Sequence, residues 1–288
     1  MFITFFKDRN GYYKYDMYEG IGAIYQRIIC FLAIAKKHNL KYIHTLAKIG
    51  HNYNNEPEWH EKWDKMFNII KLSNNNELID NCKYDNYLLD DITHEDIEKM
   101  LKNNNKNIIY HYYGPYIIFD KNPDFYLNDI QNELINAYDE NNNNRKLIYD
   151  KNKINIAIHM RVYNDWDNKE NYENCKNNTS IRHYMTADKY INLINDLKNK
   201  YPNSDIHIFS QEKYFDLCYK KIRDINDINL HFDDLDTFDT FHHLCKADVL
   251  CMGTSSFSIL AAFYNKNTVI YLPYTTPPSL KKWIVYEP

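Results

Sequence analysis

Apolar residues along this chain recur with two periods. Ile24, Ile28, Phe31, Leu32 and Ala35 fall at helical spacing and predict a helix over about 22–37, with Lys36-Lys37 suited to its negative end and Asn39 as its stop. Residues 2–6 before it and 41–44 after it read as strands, with Gly11 and Gly20 in the intervening loop. Residues 92–101 read as a helix and 107–111 as a strand. The second half is more regular. Ile154, Ile156 and Ile158 alternate in a strand that ends at His159-Met160-Arg161. Thr186 is placed to cap a helix whose stripe is Tyr190, Leu193, Ile194 and Leu197. A strand over 205–210, a helix reaching Cys218, a helix over 238–245, a strand over 247–252, a helix over 255–264 and a strand over 268–272 complete the series. Strands alternating with helices predict an α/β fold with mainly parallel sheets.

The polar, aperiodic run 139–146 is the best linker candidate, dividing the chain into residues 1–145 and 146–288, with a surface loop inside one domain as its alternative. Composition narrows the class. The hydrophobic fraction is 44% and aromatics reach 16%, which excludes a disordered or low-complexity chain. The excess of Asn, Ile, Lys and Tyr reads as compositional bias, so Asn-rich stretches carry little functional weight. Lys and Arg number 35 against 39 Asp and Glu, a net charge of −4, and no basic stripe is present, which argues against nucleic acid as a partner. Cys30, Cys245 and Cys251 sit in apolar surroundings and predict buried reduced thiols. No signal peptide and no membrane-spanning run is evident, and the expectation is a soluble, cytoplasmic protein.

Candidate chemistry gathers where strands end, because ligands of open α/β sheets bind beyond the carboxyl ends. Three polar clusters fall there: His159-Met160-Arg161, Ser210-Gln211-Glu212, and Gly253-Thr254-Ser255-Ser256-Phe257-Ser258. The last places a glycine and hydroxyls ahead of a helix N-terminus, an arrangement suited to phosphate, with ordinary N-capping as its structural alternative. Arg161 at a neighbouring strand end adds a cation suited to a diphosphate, or to a salt bridge with a nearby carboxylate. Gly20-Ile21-Gly22 forms a short glycine loop between strand and helix. No GxxxxGK[ST], GxGxxG or GxSxG occurs, and the histidines make no metal-binding pattern.

Three segments together resemble the superfamily of α-1,2- and α-1,6-fucosyltransferases and protein O-fucosyltransferases. Gly20-Ile21-Gly22-Ala23-Ile24-Tyr25-Gln26-Arg27, followed by Ala33 to Leu40, is similar to the GxGNQ loop and the helix after it. Ile158-His159-Met160-Arg161 is similar to HxRRGD. The run Asp239 to Asp248, leading into Ser255-Ser256-Phe257-Ser258, is similar to the C-terminal D-x-x-x-L-xx-A-D … SSFS segment. The sequence departs after Arg161, where Val162-Tyr163-Asn164-Asp165 replaces Arg-Gly-Asp. It departs again at Ala23-Ile24, which stand for Asn-Gln and leave Gln26 or Arg27 as polar substitutes.

The resemblance implies a GT-B-like fold of two Rossmann-like lobes, an acceptor-side N-terminal lobe and a nucleotide-sugar-binding C-terminal lobe, with GDP-fucose in the inter-lobe cleft. It implies transfer of fucose to a glycan or protein hydroxyl with inversion, and neither metal nor other cofactor. By position, Arg161 would contact the β-phosphate and stabilise departing GDP, and Thr254, Ser255, Ser256 and Phe257 would hold phosphate and ribose. His159 and Ser210 would line the pocket with the Gly20 and Gly22 loop. Asp239 would read guanine, with Asp248 as the competing choice. A carboxylate must take the acceptor proton, and Asp165 is preferred over Asp167 and Glu170. The alternatives are another nucleotide-activated deoxysugar donor, or a binding module without catalysis.

Overall fold

Each half of the chain builds its own parallel sheet. The computed structural model describes residues 2–5, 20–44, 46, 49–50, 52, 56–73, 85–89, 93–103, 108–112, 130–162, 185–232, 234–272 and 280–287. The chain divides into two units, Met1–Asn144 and Arg145–Pro288.

In the first unit, β1 (Phe2–Phe5), β2 (Lys41–Ile43), β3 (Asp85–Leu89) and β4 (Ile108–Tyr112) form a sheet in the order β2-β1-β4-β3. Every pairing in it is parallel. Helix α1 (Ile21–Lys37) makes the first crossover, and from Ile24 to Ala35 every residue is buried. An amphipathic stripe alone would leave one side wet, so α1 is a core helix. It ends in a left-handed Asn39 (φ 52°), and the Leu40 N–H returns to the Ala35 carbonyl at 2.8 Å. That closes the last turn. Helix α3 (His94–Asn103) starts on a reciprocal cap: the Thr93 N–H and hydroxyl donate to Asp96, and the Asp96 N–H donates back to Thr93.

Two helices of this unit are absent from the periodicity reading. Helix α2 (Trp59–Phe67) buries Trp59, Trp63, Met66 and Phe67, and helix α4 (Gln131–Asn142) buries Leu134, Ile135, Ala137 and Tyr138. They meet through Phe67 and Tyr138, with ring centroids 6.4 Å apart. The linker reading is corrected in part. Residues 139–142 are the last turn of α4, and Asn142 is buried, its amide donating to the Met66 and Tyr138 carbonyls. Only from Asn143 onward is the run irregular.

In the second unit, β5 (Ile154–His159), β6 (Ser204–Phe209), β7 (Asn229–His231), β8 (Val249–Cys251), β9 (Thr268–Tyr271) and β10 (Ile284–Val285) are ordered β10-β9-β8-β5-β6-β7, all parallel. Counted within the unit, this is the 3-2-1-4-5-6 order of a dinucleotide-binding sheet. Helices α5 (Ala187–Lys200), α6 (Phe215–Tyr219), α7 (Thr237–Lys246) and α8 (Ser256–Tyr264) make the crossovers. Thr186 caps α5 by accepting from the Lys189 N–H. One face of the sheet, carrying Ile156, Ile158, Ile206 and Ile208, packs against Tyr190, Leu193, Ile194 and Leu197 of α5. At the amino ends, the Asp248 carboxylate accepts from the Asn155 N–H at 2.9 Å and pins β5 to β8. That position occupies Asp248 in the frame, at the end of the strand remote from the polar clusters.

Candidate functional site

Strand order in the second sheet reverses between β5 and β8, and that reversal opens a crevice at their carboxyl ends. His159 closes β5, and Met252-Gly253-Thr254-Ser255 connects β8 to α8. The two chain segments touch. A Cβ on Gly253 would lie 2.3 Å from the His159 carbonyl oxygen and 3.1 Å from its Nδ1. Only a residue without a side chain fits, so this is a close-approach glycine. By contrast, Gly20 caps α1 with φ −76°, a conformation open to any residue, and Gly22 lies inside the first turn of that helix.

The His159 ring is sandwiched into the turn, with the Phe257 ring 5.6 Å away. Its Nδ1 is buried without a hydrogen-bond partner among the described residues. Burial pushes its pKa down to about 3, and the Arg161 guanidinium pushes in the same direction. His159 is thus a neutral imidazole beside a fixed cation. Arg161 itself is half-buried, and its carbonyl accepts from the Tyr219 hydroxyl at 3.0 Å. Ser210 ties the next strand end to the same place: its hydroxyl donates to the Met160 carbonyl at 2.7 Å.

The hydroxyl cluster does structural duty as well. Ser255 is the N-cap of α8 and accepts from the Phe257 N–H at 3.4 Å. Ser258 donates to the carbonyls of Gly253 and Ser255, which fixes the turn. Thr254 and Ser255 are buried, while Ser256 and Phe257 are half-buried. The positive end of α8 faces the same crevice end as Arg161 and the orphaned His159 nitrogen, and together they offer a seat for an anion.

His159, Arg161, Ser210 and residues 253–257 therefore come together. Asp239 lies on the first turn of α7, whose Phe241 ring packs 5.3 Å from Phe257. The Asp239 carboxylate does not stand alone, because it is paired with Arg145. Gly20 and Gly22, with the buried Gln26 and Arg27 of α1, belong to the first unit. Asp165, Asp167 and Glu170 lie outside the described residues. Among the described residues no group of three or more His, Cys, Asp or Glu is placed to hold a metal ion, and no helix is long and apolar enough to cross a membrane. Cys30, Cys245 and Cys251 are buried and lie outside any disulfide.

Sequence reasoning passed over Arg145, Tyr149 and His243. Arg145 falls within the run 139–146 read as a linker and Tyr149 lies just past it, while His243 is one of two adjacent histidines inside a predicted helix. The one signal in the sequence was that a histidine buried in a helix needs partners on both ring nitrogens.

Tandem Rossmann-type units define the GT-B-like class of α/β proteins. Among solved structures, that of POFUT1 in complex with GDP-fucose matches with TM-score 0.53 and 11% identity, covering 99% of this chain and 97% of that one. A second POFUT1 complex with GDP-fucose covers 92% of this chain and 95% of that one at TM-score 0.49 and 11% identity. E. coli ADP-heptose LPS heptosyltransferase II covers 48% and 39%, at TM-score 0.33 and 12% identity. The first of these shows a shared fold over nearly the whole chain. No protein-family profile and no curated protein sequence matches.

Proposed function

We propose that this chain is a glycosyltransferase that moves fucose from GDP-fucose to a hydroxyl of a glycan or protein, with inversion and without a metal. The observation that carries the reading is the switch-point contact of Gly253 with His159, which gathers Arg161 and the α8 N-terminus around one crevice end. A protein of the same fold has been crystallised with GDP-fucose. In the reaction the bond from the anomeric carbon to the β-phosphate oxygen breaks. Arg161 and the α8 N-terminus balance the charge left on GDP. The acceptor oxygen bonds to the opposite face of that carbon, and its proton passes to a carboxylate, for which Asp165 is our candidate. Asp239 and Ser255 to Phe257 hold base, ribose and phosphate.

Val162-Tyr163-Asn164 in place of Arg-Gly-Asp favours one second reading, a binding module without transfer. Thermal stability measured with GDP, UDP and dTDP tests the donor class: GDP alone should raise the melting temperature, and equal indifference to all three rejects the reading. Release of free fucose or GDP from GDP-fucose then separates enzyme from binding module.

A further inference from the structure

Residues 145–149 carry no regular secondary structure, yet they are pinned at three points along one side of α7. Arg145 pairs with the Asp239 carboxylate, the Ile148 N–H donates to His243 Nε2 at 3.0 Å, and the Tyr149 hydroxyl donates to the His243 carbonyl at 2.8 Å. The Tyr149 ring stands edge-on to His243 at 5.1 Å and to His207 at 5.0 Å. This segment is a strap, and His243 is its anchor.

The partners of His243 fix its protonation state. Its Nδ1 lies 2.7 Å from the Asp239 carbonyl oxygen, which can only accept, so Nδ1 carries the hydrogen. Its Nε2 accepts from Ile148 and must be bare. A proton on Nε2 would set N–H against N–H. Beneath the strap the surroundings leave no room for a new cation: His207 is 5% exposed, its Nδ1 is 3.0 Å from His231 Nε2, and its own Nε2 is buried with no partner among the described residues.

We propose that His243 is a positioning residue: in its neutral form it seats the strap so that Arg145 orients the Asp239 carboxylate for a guanine base. Acid protonates His243, unseats the strap and weakens binding of a guanine nucleotide. The proposal rests on the reading of Asp239 as the base-recognising group. The charges facing His243 come from every element around it. Asp239 on α7 and Asp234 after β7 favour a proton; His231 on β7, His207 on β6 and His242 on α7 oppose it, and Arg145 on the strap is paired with Asp239. Burial is the largest influence and holds His243 below the ordinary histidine value.

The test uses the full chain and two variants, His243→Gln and His243→Leu. Glutamine offers an acceptor to the Ile148 N–H and does not titrate; leucine offers none. Calorimetric titration of GDP near pH 7.5 and near pH 5 should show wild-type affinity falling about tenfold more than that of His243→Gln, with His243→Leu weak at both. Ionisation of the nucleotide's own phosphate is common to all three and cancels. The protection factor of the Ile148 amide against hydrogen exchange should drop in acid for wild type and persist in His243→Gln. An identical acid loss in wild type and His243→Gln, in either measurement, overturns the proposal. If wild type binds no guanine nucleotide, the donor reading falls and the nucleotide half of this proposal with it, while the exchange result still decides whether His243 anchors the strap.

Discussion

Gly253 and His159 meet backbone to backbone at the point where strand order reverses: a Cβ on Gly253 would sit 2.3 Å from the His159 carbonyl oxygen. A flexible side chain could swing aside, but a carbonyl at the end of a central strand cannot. Gly253→Ala should therefore push the β8–α8 turn away from β5. The expected cost is about 1–3 kcal/mol, the usual range for overpacking, read by urea unfolding. GDP affinity should fall with it, since the anion seat spans both segments. Wild-type stability together with wild-type affinity would show that the turn has slack to move.

Arg161 tests the electrostatics of that seat, and the hydrogen bond from the Tyr219 hydroxyl to the Arg161 carbonyl is one that any residue retains. Arg161→Ala should abolish transfer and weaken GDP binding by about 1.5–3 kcal/mol, as for a charge-assisted contact. Its effect on His159 separates two causes. Burial is the larger reason that His159 sits near a pKa of about 3, and the guanidinium the smaller. Followed by NMR, His159 in Arg161→Ala should titrate higher than in wild type yet stay below an ordinary histidine. A return to the ordinary value would mean that burial is not the main cause.

Much of this site is legible in the amino-acid sequence, and the reason is local. The alternation of Ile154, Ile156 and Ile158 marks β5, and the cap residues Thr186 and Ser255 mark their helices by short-range chemistry. The first unit is less legible. In α2 the buried residues Trp59, Trp63, Met66 and Phe67 keep helical spacing, but five polar residues dilute them to weak average hydrophobicity. Strands β7 and β10 have three and two residues, too few for a period to show. The Arg145–Asp239 pair links positions 94 apart, and no local pattern announces such a contact.

Acid should destabilise the second unit, and the sign follows from buried neutral imidazoles. Burial first, then neighbouring basic side chains (His231 foremost for His207, Lys246 for His242), lower both to about 4, and burial lowers His243. Unfolded, each takes a proton near pH 6.5, so the unfolded chain binds more protons between that pH and the folded values. Stability should be full above about pH 6.5 and fall as pH drops towards 4, with a slope of up to about 1.4 kcal/mol per pH unit for each histidine. His207→Phe keeps the ring stack with His231 and removes one titrating group, so its stability should depend less steeply on pH in this window. An unchanged slope would assign the acid loss to other groups.

Asn142 yields the sharpest contrast between composition and structure. It belongs to a run of four asparagines that composition alone treats as bias. Yet its side chain is 2% exposed, and its amide donates to the Met66 carbonyl at 2.8 Å and the Tyr138 carbonyl at 2.6 Å, joining α2 to α4. Asn142→Asp preserves the shape, removes both donors and sets an anion against two carbonyl oxygens. The first unit should lose about 2–4 kcal/mol through unsatisfied buried acceptors and an uncompensated charge. Asn144→Asp, two residues on and exposed, should change stability by less than about 0.5 kcal/mol. Denaturant midpoints of the two variants decide the matter: equal effects would deny Asn142 its role as the tie between the helices, because chemistry and neighbourhood in sequence are otherwise the same.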